Sequence, residues 1–151
     1  MDKKSTVLKI IWWTYITALF IFVVVKFNGS FSELADRMKY YSSEDVVRYN
    51  LIPLKSINTQ LRHITNSWGI RNLLGNIIPF IPFGYLIPVV FNKINNYTRV
   101  FFAGLITVIG IELFQYVTKL GSLDIDDVIL NMIAISIGYG LMKIFFRDKK
   151  A

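Results

Sequence analysis

Nine polar side chains stand where a long apolar sequence gives them chemical meaning. Arg71, Asn72 and Asn76 open one apolar run, the two asparagines one helical turn apart. Glu112 and Gln115 lie three residues apart near the end of another. Asp124, Asp126 and Asp127 precede a third, with Asn131 four residues beyond Asp127. Spacings of three and four put each pair on one helical face. A guanidinium suits a phosphate or carboxylate, and carboxamides suit sugar hydroxyls or peptide amides. Glu112 would suit a general base with Asp127 as its partner. The three aspartates have the charge for a cation but not the spacing of a calcium loop, so no metal is expected. The chain has no cysteine, its one histidine (His63) stands apart from the polar set, and no Gly-x-Ser-x-Gly elbow occurs. A convincing nucleophile is therefore missing, and no cofactor is expected. Hydrogen-bonding between helices is the competing reading of the same residues.

The elements that must position these groups follow from hydropathy. Apolar residues make up 54% of 151 residues and charged ones only 18%, well below the usual quarter. A spanning helix needs roughly 20 apolar residues. Four stretches qualify: Leu8–Phe27, Ile70–Phe91, Arg99–Val117 and Asp127–Phe146. The expected fold is all-α, a polytopic membrane protein with four transmembrane helices. It divides into an N-terminal anchor helix (1–27), an extracytoplasmic amphipathic segment (28–69), a three-helix core (70–146) and a basic tail (147–151). Seventeen Lys and Arg oppose ten Asp and Glu. In a membrane protein such an excess fixes topology and meets anionic lipid, so the bilayer rather than nucleic acid is the expected partner. Basic residues in the short tails and the 92–98 loop place both termini in the cytoplasm, at the plasma membrane.

That topology puts all three polar groups in the outer part of the membrane. Ionisable groups there normally face a bundle interior or a wet cavity, so a shared pocket open to the exterior is expected. Within 28–69, Ser30 and Glu33 form a capping box ahead of Phe31, Leu34, Met38 and Tyr41. Further on, Ile57, Leu61, Ile64 and Trp68 recur on one face. Both stretches read as amphipathic helices lying on the outer surface or, alternatively, capping the bundle. The second span contains Pro79, Pro82 and Pro88 beside Gly75 and Gly84, and should kink or unwind near its middle.

Taken together, Asn50-Leu-Ile-Pro53, Arg71-Asn72-x-x-Gly75-Asn76, Phe80-x-Pro82-x-Gly84, Glu112-x-x-Gln115 and Gly121-Ser122-x-Asp124-Ile125-Asp126-Asp127-x-Ile129-x-Asn131 resemble the VanZ family. The resemblance covers roughly residues 50–140, and the Asp-Ile-Asp-Asp-x-Ile-x-Asn block is its most specific part. The sequence departs from the pattern in two respects: Ala134 stands where a glycine is common, and the loop before the acids has Gly121 and Ser122 where an arginine is common. The family consists of bacterial membrane proteins named for resistance to the lipoglycopeptide teicoplanin. The resemblance implies a plasma-membrane protein of a Gram-positive bacterium whose shared polar residues form the pocket. The expected function is to lower susceptibility to such drugs by binding or altering an outer-face envelope lipid or lipid-linked precursor. An intramembrane enzyme acting on an envelope lipid and a small transporter, oligomeric because four helices enclose little volume, are the alternatives.

Overall fold

The computed structural model describes residues 3–25 and 30–147. The last two positions of the expected first span, 26–27, and the tail beyond Arg147 lie outside the described residues. Four helices are long and apolar enough to cross a membrane: Ser5–Val24, Gly69–Val90, Tyr97–Val117 and Ile125–Phe145. They match the four stretches read from hydropathy within a few residues. Side chains such as Phe102, Ile106, Ile144 and Phe145 remain exposed on the bundle's flanks, as a lipid-facing surface requires.

The first span is α1 (Lys3–Leu19) extended by a π-helical turn, Phe20–Val24. Its two tryptophans separate: Trp13 is exposed, whereas Trp12 is buried against Phe83 and Phe91, with ring centroids 5.5 and 5.3 Å away. The segment that follows holds α2 (Phe31–Tyr40), whose first turn is capped by Ser30 Oγ accepting from the Glu33 amide at 3.3 Å. A two-residue strand, β1 (Tyr49–Asn50), precedes α3 (Lys55–Arg62).

The apolar stripe from Ile57 to Trp68 is divided between two helices. The chain leaves the helix after Arg62, turns through 63–66, and starts α4 at Ser67 (Ser67–Ile77). The second span is α4, a 3₁₀ turn (Ile78–Phe80) and α5 (Ile81–Val90). The break falls at Pro79 and Pro82, where the missing amides and the ring clash with the preceding turn forbid a continuous helix. Tyr15 donates to the Pro79 carbonyl at 2.8 Å, tying the first span to this break.

A tight loop leads to α6 (Tyr97–Val117), capped by the Asn96 side chain accepting from the Arg99 amide at 2.9 Å. A second two-residue strand, β2 (Leu123–Asp124), then precedes α7 (Ile125–Arg147). α7 is the central helix, and two glycines set its contact with α5. A Cβ at Gly84 would collide with the Ile135 carbonyl, and one at Gly138 with the Ile81 carbonyl. Only glycine allows such a backbone approach, the small-residue packing typical of membrane helices. Phe80, Val100, Val108, Ala134 and Ile135 fill the core around this crossing.

Candidate functional site

One end of the bundle gathers the start of α4, the end of α6 and the start of α7. Here β1 pairs in parallel with β2, Tyr49 opposite Leu123 and Asn50 opposite Asp124. Arg48 anchors the pair. Its guanidinium lies 4.5 Å from the Tyr116 ring centroid and donates to the Tyr116 carbonyl at 2.9 Å, placing a cation at the C-terminal end of α6, where the helix dipole favours one.

The acids at the start of α7 fasten the 50–57 segment to the bundle. Asp126 is fully buried; one carboxylate oxygen accepts from the Leu54 amide at 2.5 Å, the other from the amides of Ser56 at 2.7 Å and Ile57 at 3.1 Å. These are the otherwise unpaired amides at the start of α3, so Asp126 caps that helix from 70 residues away. The cap also holds Leu54 in a left-handed conformation, φ 67°. Asp124 accepts from the Asn50 side chain at 3.0 Å, the Ser56 hydroxyl and the Asp126 amide. Its own amide donates to Glu112 at 3.1 Å. Pro53 lies in the turn between Asn50 and α3.

Behind this layer, buried Gln115 donates to the carbonyls of Val23 and Val24 at 2.8 and 3.1 Å, satisfying the end of the first span's π-turn. Asn76 donates to Asp127, joining the second span to the fourth. Asn131 is buried on α7, and its carbonyl oxygen has no partner among the described residues.

In front of the layer opens a cavity of about 750 Å³. Five of the nine polar candidates line it: Arg71, Asn72, Asn76, Asp124 and Asp127; Asn50 and Gly75 line it too. Glu112, Gln115, Asp126 and Asn131 do not, and the first three are engaged in the bonds above. Pro79, Pro82 and Gly84 shape the second span deeper in the bundle. Among the described residues, no cluster of three His, Cys, Asp or Glu is arranged to hold a metal ion.

α3 adds four more lining residues: Lys55, Ser56, Thr59 and Gln60. Sequence reasoning left these four out of the site, although their spacing puts them on one helical face. The helix was expected to lie on the outer surface or to cap the bundle; its polar side lies over the acids, while Leu61, and Ile64 just beyond its end, remain exposed, as an outer-surface helix would leave them for lipid. Arg71 and Lys55 are both exposed, and neither is paired with a carboxylate among the described residues. Gly75 leaves the space beside α4 open, since a Cβ there would meet nothing within 4 Å.

These features define a multi-pass α-helical membrane protein with a polar cavity at one end of its bundle. The VanZ/LLP1 family model matches residues 12–146, and the chain belongs to that family. The match extends beyond the motif-bearing stretch to include the first span from Trp12 onward. Protein VanZ of Enterococcus faecium is 31% identical over 112 residues, covering 69% of this chain and 68% of that protein. No solved structure matches the chain.

Proposed function

We propose that this chain lowers susceptibility to lipoglycopeptide drugs such as teicoplanin by binding, or altering the presentation of, an envelope lipid or lipid-linked precursor at the outer face of a Gram-positive plasma membrane. Both termini are then cytoplasmic, and the cavity opens outward, where such drugs meet wall precursors. The observation that carries the reading is the cavity itself, lined by Arg71 and Lys55, which make no ion pair among the described residues, and by carboxamides and hydroxyls. Arg71 supplies planar, bidentate recognition of a phosphate. Asn72 is placed for sugar or peptide groups. A base mechanism through Glu112 draws less support, because Glu112 lies behind the cavity and accepts the Asp124 amide.

The test compares teicoplanin susceptibility of a deletion strain complemented with wild type, Arg71→Ala or Gly75→Leu. The leucine grows into open space on a helix it favours, so the protein should accumulate normally while its cavity is blocked. Wild type should restore tolerance, and both variants should fail at equal membrane levels. Unchanged susceptibility on deletion and overexpression would remove the antibiotic reading.

A further inference from the structure

Gln60 sets a requirement that the rest of the cavity does not meet. It is only 7% exposed, lies on the α3 wall, and its carbonyl oxygen is buried without a hydrogen-bond partner among the described residues. A buried carboxamide left unpaired is costly, and native proteins rarely keep one without a reason. Since its oxygen and nitrogen exchange places by a flip, the group answers best to a partner that both donates and accepts. A hydroxyl does both.

The neighbouring side chains narrow the choice. Ser56, Thr59 and Asn72 extend the neutral polar lining around Gln60. The aspartates do not present bare carboxylates to an ammonium group: Asp124 already accepts from Asn50, Ser56 and its own chain, and Asp127 accepts from Asn76. Negative charge is instead answered by exposed Arg71 and Lys55, both in the cavity lining. The cavity therefore carries cationic groups at exposed positions and a donor–acceptor group at a buried one. A volume of about 750 Å³ is ample for a headgroup and lies within the usual range of ligand sites.

We propose that the cavity selects an anionic phosphodiester amphiphile carrying hydroxyls beyond the phosphate, with Arg71 and Lys55 holding the phosphate and Gln60 reading the hydroxyls. This rests on the reading that the cavity binds an envelope lipid, and makes Gln60 the residue that determines which headgroup is taken.

Calorimetric titration of the detergent-solubilised full chain tests it with two short-chain lipids of equal charge. Dihexanoyl phosphatidylglycerol carries two distal hydroxyls; dihexanoyl phosphatidylethanol carries none. Wild type should prefer the first by about tenfold, the scale expected when a buried polar group is left unpaired. Gln60→Met, similar in size but lacking the carboxamide, should weaken phosphatidylglycerol alone and bring the ratio to about one. Arg71→Ala should weaken both lipids together. Equal wild-type affinities overturn the inference even if Gln60→Met does not fold, while leaving lipid binding intact. No binding of either lipid overturns the inference together with the reading beneath it. Soluble glycerophosphoglycerol should bind at least tenfold more weakly than the lipid; equal binding overturns the bilayer as the ligand's source and upholds the headgroup chemistry.

Discussion

Replacing Asp126 by asparagine perturbs one atom of the layer that holds α3 over the cavity. The carboxylate receives three amides, two of them at the same oxygen. Asparagine can keep its oxygen at the doubly used position and so retain Ser56 and Ile57, but its NH₂ then faces the Leu54 amide, donor against donor. One bond to a charged acceptor is lost, worth roughly 1.5–3 kcal/mol, and the other two become neutral. The local cost should be about 2.5 kcal/mol, which converts to a 50–100-fold gain in the opening of α3 at about 1.4 kcal/mol per decade. Hydrogen exchange in nanodiscs reads this directly: amides of residues 55–60 should exchange on the order of 50-fold faster. Those of α6 and the middle of α7 should keep their wild-type protection. Unchanged protection of 55–60 would show that α3 is held by its contact with α4 rather than by the carboxylate, and the capping argument would be wrong.

Other substitutions probe the remaining supports. Gly84→Ala drives a methyl into the Ile135 carbonyl, and should cost about 1–3 kcal/mol through overpacking, seen as a lower melting temperature in detergent; Gly138→Ala should do the same at Ile81. Gln115→Leu leaves the Val23 and Val24 carbonyls without this donor and should cost about 0.6–2 kcal/mol. The expected sign is faster exchange at the end of the first span, with α3 unaffected. Trp12→Ala removes a buried indole packed on Phe83 and Phe91. It should cost about 3–5 kcal/mol, and a melting temperature within a degree of wild type would mean that the first span contributes little to the bundle.

The four spans were legible because the bilayer makes a strong demand on sequence: about 20 apolar residues, which few soluble elements supply. The break in the second span was legible for a similar reason, since Pro79 and Pro82 cannot sit in an unbroken helix. The cavity was only half legible. Its α4 and α7 wall announced itself through Arg71, Asn76 and Asp127, polar residues in apolar surroundings. Its α3 wall did not, because Lys55, Ser56, Thr59 and Gln60 look like the ordinary solvated side of a short amphipathic helix. Periodicity tells which residues share a face, not which face is covered. That is decided by Asp126, remote in sequence, whose carboxylate fixes where α3 begins and which way it turns.

The polar residues fall into two layers with different physical tasks. Glu112, Gln115 and Asp126 are buried and satisfied by backbone groups: they close the ends of helices and the loop that crosses them. Such bonds have their greatest value where water is scarce, because the alternative is an unpaired group. Arg71, Lys55, Asn72 and Gln60 form the second layer, lining the cavity, with Gln60 itself buried in its wall. A bundle needing only interhelical glue would have spent its polar groups on one another, as the first layer does. Among the described residues, Arg71 and Lys55 make no ion pair and the buried Gln60 carboxamide oxygen has no partner, so these groups join no helices. Charged and polar groups are expensive inside a membrane, so side chains of this kind around an open cavity are the natural candidates for meeting a ligand. The boundary between the two layers runs through Asp124 and Asp127, whose carboxylates line the cavity while bonding to the helices around it. The same aspartates therefore couple the shape of the cavity to the docking of the elements that enclose it.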